Sequence, residues 1–233
     1  MTEQIKAVIF DWGGVLIDDP GPGLMRYCAN KFNVPVDKFI NSFEKYLPEY
    51  QTNSVSEEKF WELMCKDLNI DKPSELLFCE EMDSRQSLSR GNGNDNTQYA
   101  IRNSQYESLW KQAFISVYTP KDEMFALVSS LREKGYKTAI LSNTEIPALD
   151  FFIEQRYNCF DVQVFSCKEG KRKPDKQIYE IAIKKLNCSP EQAIFIDDKE
   201  PMVEGAKNAK LNAIHFKSIA QVKNELIGFG LDL

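Results

Sequence analysis

The sequence has 233 residues, of which 42% are hydrophobic and 27% are charged, values close to the averages of folded globular proteins. This length is enough to bury a hydrophobic core and fits one large domain or a domain with a smaller lobe. The 29 Lys and Arg residues stand against 35 Asp and Glu residues, so the net charge is −6. An acidic chain lacks the basic surface that binds nucleic acid phosphates, so we expect no nucleic acid partner.

The hydrophobic segments are all too short to cross a membrane, which takes roughly 18 to 20 apolar residues, and the polar residues 1–6 do not resemble a signal peptide. We therefore expect no membrane partner and, by default, a cytoplasmic location. Six cysteines are spaced without a C-x-x-C pair, and His215 is the single histidine. This composition argues against zinc, haem and Ser-His-Asp sites, and predicts reduced cysteines and an ordinary packed histidine. The sequence leaves the oligomeric state open.

Five short apolar runs predict the strands of a sheet: residues 5–10, 137–141, 162–165, 193–196 and 213–216. Apolar residues stand at consecutive rather than alternate positions, as in parallel strands that helices cover on both faces. Helical periodicity is found between the runs, over residues 119–135, 174–187 and 201–210, where Thr119 and Pro120 resemble a helix start. The alternation predicts an α/β fold with a Rossmann-like, doubly wound parallel sheet.

Residues 20–114 interrupt this alternation and predict an inserted helical cap, leaving residues 1–19 and 115–233 as the α/β core. Amphipathic helices are expected over residues 34–47 and 54–68, the second with a Ser54/Glu57 capping-box spacing. The aromatic residues of this segment stand at helical spacing, which favours packing within the cap. Residues 84–104 are rich in Ser, Asn and Gly, so a mobile loop is predicted there.

Polar side chains directly follow three of the predicted strands, and a lysine stands in the loop after a fourth: Asp11, Ser142 and Asn143, Asp197 and Asp198, and Lys173. Ligands of an open parallel sheet bind outside the carboxyl ends of its strands, so we expect these side chains to converge. A carboxylate and a phosphate would repel each other, but a Mg²⁺ held by acidic residues would offset the repulsion, with Lys173 adding positive charge. The pattern predicts a site for a phosphate and a divalent cation.

Four motifs, VIFDWGGVL, LSN, KRKPDKQIY and FIDDKEPMVEGA, occur in this order and resemble those of the haloacid dehalogenase (HAD) superfamily of hydrolases, in the branch with a helical cap inserted after the first strand. The resemblance covers essentially the whole chain and implies a phosphatase that acts through an aspartyl-phosphate intermediate. It implies roles for seven residues: Asp11 as nucleophile and metal ligand, Ser142 and Asn143 as phosphate-binding residues, Lys173 as the catalytic and phosphate-binding cation, and Asp198, Asp197 and the Gly13 carbonyl group as further parts of a Mg²⁺ site.

Two positions depart from the family pattern. The aspartate that usually stands two residues after the nucleophile, as general acid and base, is Gly13 here, and Met202 replaces an Asp or Asn four residues after the metal ligand. General acid catalysis contributes about 10²- to 10⁴-fold, so the departure predicts slow hydrolysis. Either the leaving group needs little protonation, as in an acyl phosphate or a sugar 1-phosphate, or Asp18 or Asp19 supplies the proton.

The sequence therefore predicts a Mg²⁺-dependent phosphatase with a small phosphorylated metabolite as its substrate. Two alternatives stay open. Gly13 and Met202 are compatible with a catalytically weakened, HAD-like phosphate-binding or regulatory protein. A metal-independent 2-haloacid dehalogenase would share the nucleophile and the cap, but would have no use for the Asp197 and Asp198 pair.

Overall fold

The computed structural model describes residues 4–72 and 108–233 of the protein. Its strands are β1 (Ala7–Phe10), β2 (Lys137–Ser142), β3 (Val162–Phe165), β4 (Ala193–Asp197) and β5 (Asn212–His215). They form one parallel sheet in the order β3-β2-β1-β4-β5. This order confirms the predicted doubly wound α/β fold, and β1 lies at its centre, where the chain winds first to one side and then to the other.

The helices are α1 (Gly21–Lys31), α2 (Val36–Gln51), α3 (Glu57–Leu68), α4 (Leu109–Val117), α5 (Asp122–Glu133), α6 (Ile146–Glu154), α7 (Ser166–Glu169), α8 (Lys176–Leu186), α9 (Glu200–Asn208) and α10 (Ile219–Gly228). A 3₁₀ turn at Pro190–Gln192 leads into β4. Among these described helices, none combines the length and the apolar character that crossing a membrane requires.

Both faces of the sheet are buried, which explains the consecutive apolar residues of its strands. In β1, Val8 and Phe10 belong to the hydrophobic core on one face, whereas Ala7 and Ile9 belong to the core on the other. All four side chains are fully buried. Covering a sheet with helices on both sides removes the alternation of polar and apolar residues that a half-exposed strand would show.

Helices α1 to α4, here called the helical lobe, pack together after β1 around aromatic rings. The Phe43 ring stacks on Trp110 at a centroid distance of 5.2 Å, and the Tyr50 ring stacks on Phe60 at 4.3 Å. These contacts bear out the packing role expected for the aromatic residues. The cap boundaries at residues 20 and 114 stay a prediction, and the loop predicted over residues 84–104 lies outside the described residues.

Two predicted helix starts are wrong. Helix α5 begins at Asp122 rather than after Thr119, because residues 119–121 run extended against the chain that follows β1: the Asp18 amide donates to the Thr119 carbonyl oxygen at 2.9 Å. Helix α3 is capped by Ser56, whose hydroxyl oxygen accepts the Lys59 amide at 3.2 Å. Ser54 instead belongs to the turn that ends α2, where its amide donates to the Glu49 carbonyl oxygen.

The described cysteines are free: Cys28, Cys65, Cys159 and Cys167 are buried and Cys188 is half-buried. Cys79 lies outside the described residues. The sheet and its helices thus supply the scaffold, and the site described next lies where its central strands end.

Candidate active site

Three carboxylates meet at the carboxyl ends of the two central strands. Asp11 directly follows β1, Asp197 is the last residue of β4, and Asp198 comes next. Because β1 and β4 are paired neighbours, one carboxylate oxygen from each residue lies within 4.8 Å of the others. The structure therefore brings together the acidic residues that the sequence predicted for this edge of the sheet.

Lys173 joins two of these carboxylates from the loop before α8. Its Nζ atom lies 2.8 Å from Asp11 Oδ1 and 2.6 Å from Asp197 Oδ2. The side chain is buried, which by itself lowers the pKa of an amine, but the charges of Asp11 and Asp197 outweigh this effect and raise the pKa of Lys173. The lysine therefore carries its positive charge inside the site.

Asp11 is oriented by two contacts to the same oxygen. Its Oδ1 atom accepts the Trp12 amide at 2.7 Å and faces the Lys173 ammonium group. Burial, with the neighbouring Asp197 charge, raises the pKa of Asp11 to about 7, against the opposing effect of Lys173 and the Trp12 amide. Both contacts thus engage the same oxygen, Oδ1, of the Asp11 carboxylate.

Asp198 has a buried oxygen, Oδ1, that no hydrogen-bond donor in the described part of the chain contacts. Gly14 lines this carboxylate closely: a Cβ atom at position 14 would lie 2.3 Å from the Asp198 carboxyl carbon, and Gly14 has a φ angle of +84°. Buried carboxylate oxygens normally have partners. A cation beside Asp198 would supply the missing one.

The charges of the cluster also fit a divalent cation. With all three carboxylates ionised, the cluster and the Lys173 ammonium group would carry an excess of two negative charges in a largely buried site, an arrangement that is unfavourable without compensation. Carboxylate oxygens are the protein ligands that Mg²⁺ prefers. The residues present thus fit the predicted metal, with Asp11 and Asp198 as ligands and Asp197 mainly paired with Lys173.

The loop after β1 is held by Lys121, a residue that sequence reasoning missed. Its Nζ atom donates to the Gly14 carbonyl oxygen at 2.6 Å and lies 3.8 Å from Asp18 Oδ1. Asp19, the other acid suggested as a proton donor, is exposed, and its Oδ1 atom accepts the Gly21 amide at 3.0 Å. Neither Asp18 nor Asp19 belongs to the acidic cluster found among the described residues.

Ser142 and Asn143 lie at the end of β2, the other neighbour of β1. The Ser142 oxygen accepts the Thr144 hydroxyl group at 2.7 Å, so the Ser142 proton is available to a ligand. The Asn143 side chain instead contacts the backbone of Lys173, donating to its carbonyl oxygen at 2.9 Å and accepting its amide at 2.7 Å. The amide side chain of Asn143 therefore fixes the lysine loop.

The two remaining residues of interest lie at the edge of the site. His215 is half-buried on β5, with its Nε2 atom 2.9 Å from the Asp198 carbonyl oxygen, which agrees with the packed histidine that the sequence predicted. Met202, at the second departure from the family pattern, is half-buried on α9, and its carbonyl oxygen accepts the Tyr179 hydroxyl group at 2.7 Å. Met202 offers no carboxylate or amide to the acidic cluster.

Comparison with known proteins gives a family match over most of the chain. The model of the family described as "haloacid dehalogenase-like hydrolase" matches residues 5–210. Among curated proteins, Acyl-CoA dehydrogenase family member 10 of Mus musculus is 25% identical over 98% of this chain, which spans 20% of the mouse protein. Sesquiterpene phosphatase astK of Aspergillus oryzae is 36% identical over 38% of this chain and 48% of its own length. The chain thus spans only part of these relatives.

Solved structures give the same fold. A HAD family enzyme of Bacteroides thetaiotaomicron superposes with a TM-score of 0.69 at 16% identity, covering 96% of this chain and 99% of that chain. The wild-type form of that enzyme in complex with magnesium and inorganic phosphate superposes with a TM-score of 0.64 at 16% identity, covering 94% of this chain and 98% of that chain. At this identity the likeness establishes the shared fold.

Proposed function

The chain belongs to the haloacid dehalogenase-like hydrolase family, and on this premise we propose that it is a Mg²⁺-dependent phosphatase of a small phosphorylated metabolite. The proposal includes an aspartyl-phosphate intermediate on Asp11. One observation carries it: Lys173 pairs with Asp11 and Asp197, while Asp198 beside them keeps a buried oxygen that no donor in the described part of the chain contacts. Phosphatase relatives and the magnesium and phosphate complex of the Bacteroides enzyme support the same assignment.

In the proposed reaction, Asp11 Oδ2 attacks the phosphorus atom, forming an oxygen–phosphorus bond as the bond to the leaving oxygen breaks. The contacts at Oδ1 hold the carboxylate in place for this attack. Lys173 offsets the negative charge of the nucleophile, and the Ser142 hydroxyl group donates to a phosphate oxygen, since its own oxygen already accepts from Thr144. Water then attacks the phosphorus atom and breaks its bond to the Asp11 oxygen, so that inorganic phosphate leaves with the protons of water and the Asp11 carboxylate is restored.

The metal would be held by Asp11, Asp198 and, by family resemblance, the Gly13 carbonyl group. When bound, Mg²⁺ would neutralise the charge that the phosphate adds to the site. Asp197 contributes indirectly, because its Oδ2 atom holds Lys173 while Oδ1 accepts the Lys199 amide at 2.8 Å. Asp197 thus keeps the lysine next to the nucleophile.

Gly13 narrows the class of substrate. A residue without a side chain transfers no proton to the leaving oxygen, so substrates with a leaving group of low pKa, such as acyl phosphates and sugar 1-phosphates, should react fastest. With an alkyl phosphate the loss of a general acid would cost about 10²- to 10⁴-fold in rate. We therefore place the preferred substrate among phosphates that need little protonation.

Hydrolysis of an activated aryl phosphate tests the proposal, with wild type and Asp11→Asn each assayed in Mg²⁺ and in chelator. We expect turnover only in wild type with Mg²⁺. Glu180→Gln, an exposed substitution on α8 that removes the pairing of Glu180 with Lys176, is the matched control and should behave as wild type. Equal, negligible rates in all samples would instead favour the phosphate-binding alternative, and halide release from a 2-haloacid in chelator would favour the dehalogenase.

A further inference from the structure

The residues just after β2 connect the proposed site to the helical lobe. Ser142 belongs to the proposed phosphate site and Asn143 contacts the Lys173 backbone, and Thr144 and Glu145 follow them immediately. Thr144 and Glu145 are both buried, with 2% and 6% of their surface exposed. Within residues 142–145 the chain thus passes from the proposed phosphate site to a contact with another part of the fold.

Glu145 receives two hydrogen bonds from the lobe. The Gln51 Nε2 atom, at the end of α2, donates to Glu145 Oε1 at 3.0 Å, and the Trp110 Nε1 atom, in α4, donates to Glu145 Oε2 at 2.9 Å. The two donors occupy one carboxylate oxygen each. A buried carboxylate is costly unless it is hydrogen-bonded, so Glu145 favours the arrangement in which both lobe helices lie against it.

A second path leads from the lobe to Ser142. The Ser166 hydroxyl group, at the start of α7, donates to the Gln51 carbonyl oxygen at 2.7 Å and accepts the Thr144 amide at 2.9 Å. The Thr144 hydroxyl group then donates to Ser142 at 2.7 Å. Gln51 is therefore hydrogen-bonded through its side chain to Glu145 and through its carbonyl oxygen to Ser166, which also holds Thr144.

We propose that Glu145 is a positioning residue: through its hydrogen bonds to Gln51 and Trp110, the placement of Ser142 and Asn143 depends on how the helical lobe packs against this segment. The packing of the lobe is transmitted because Gln51 and Trp110 fix Glu145, and residues 143–145 are the short loop that follows Ser142 at the end of β2. Asn143 in turn holds Lys173 by its backbone. The inference rests on the proposed function, since it assigns Glu145 a role in the same reaction.

Substitutions on each side of the contact test the coupling. Glu145→Ala should lower kcat for the aryl phosphate by about tenfold or more, and Glu145→Gln should recover part of the loss, because its single carbonyl oxygen accepts one of the two donors. Gln51→Ala should also lower kcat. In a double-mutant cycle, Glu145→Ala should cost clearly less in the Gln51→Ala background.

Controls separate positioning from general damage to the fold. Glu62→Gln removes an exposed pairing on the outer side of α3 and should leave kcat unchanged. The inference is overturned if folded Glu145→Ala and Gln51→Ala keep wild-type kcat, or if their effects are independent. A loss of folded protein with normal kcat per folded molecule would assign Glu145 a purely structural role, which also overturns it.

Hydrogen exchange keeps the inference testable if the proposed function itself fails. If wild type shows no turnover that depends on Asp11, the coupling is measured by amide exchange over residues 142–145 in wild type and Gln51→Ala. Faster exchange in this turn after the change in the lobe would support the coupling. Unchanged exchange there, with altered exchange confined to α2, would contradict it.

Discussion

The side-chain amide of Asn143 holds the backbone of Lys173 at both of its polar groups, with hydrogen bonds of 2.9 Å to the carbonyl oxygen and 2.7 Å from the amide. These residues are 30 positions apart in sequence. The pairing binds the end of β2 to the loop before α8, and it places the Lys173 ammonium group between Asp11 and Asp197. Asn143 therefore acts on the proposed reaction by positioning the Lys173 ammonium group.

Replacing Asn143 should misplace Lys173. Asn143→Ala removes both hydrogen bonds, and a shift of about 1 Å in a catalytic group can cost roughly 10²-fold in rate. Asn143→Asp keeps the acceptor but loses the donor, so its kcat should lie between those of wild type and Asn143→Ala. Steady-state kinetics with the aryl phosphate measure the series. Equal kcat for the two variants would contradict the two-point contact.

Gly14→Ala should abolish the proposed metal site. The new methyl group would lie 2.3 Å from the Asp198 carboxyl carbon, so Asp198 must move, and the positive φ angle adds strain. Gly135→Ala is the matched control, because Gly135 also has a positive φ angle, +89°, but nothing lies within 4 Å of its added Cβ. Calorimetric titration with Mg²⁺ should show lost affinity only for Gly14→Ala. Similar affinities in both variants would contradict the close contact with Asp198.

Gly13→Asp should raise turnover by restoring an acid two residues after the nucleophile. The substitution is sterically mild, because its Cβ atom would lie 3.1 Å from the Pro20 Cδ atom, which must give way slightly. We expect a gain of about tenfold or more on alkyl phosphates. Gly13→Asn presents a side chain of the same size without the acid and should show no gain. A gain that is equal in both variants would point to rigidity of the loop instead of proton transfer.

The stability of the metal-free protein should depend on pH through Asp11. The pKa of Asp11 rises from 3.8 to about 7 on folding, so the folded state binds the proton more tightly than the unfolded state. Protonation therefore contributes stability in full below pH 3.8, and this contribution is lost as pH rises through about 7. Relative to Asp11→Asn, wild type in chelator should gain on the order of 2 kcal/mol between pH 8 and pH 5.

Urea denaturation of both proteins at the two pH values measures this gain. Asp11→Asn lacks the titrating carboxyl group, so subtracting its pH-dependent change in stability removes the contribution of the other groups that ionise over this range. Added Mg²⁺ should reduce the gain, because the cation and the proton compete for Asp11. A stability difference between wild type and Asp11→Asn that does not change with pH would show that the Asp11 carboxyl group titrates normally.

The sequence by itself determined the sheet and the residues at its edge. Strands buried on both faces produce consecutive apolar residues, which is why the runs ending near Asp11, Ser142 and Asp197 were recognisable. Parallel strands all end at one edge of the sheet, so these polar residues had to converge once the topology was correct. The role of Lys173 was predicted from the KRKPDKQIY motif. Its basic run alone would not have been enough, because basic residues in a loop often form only a solvated surface.

Only the tertiary structure decided which groups hold that site in place. Gln51 meets Glu145 across 94 positions of sequence, and the fit of Gly14 against Asp198 joins segments that follow two different strands. Neither contact leaves a periodic or local pattern, because each depends on how distant elements pack. The same reason explains why Asn143 was predicted to bind phosphate but contacts the Lys173 backbone instead. A polar residue after a strand predicts a ligand contact, whereas the packing of the neighbouring loop determines its actual partner. Local sequence thus specifies the chemistry of the side chains, and packing specifies their partners.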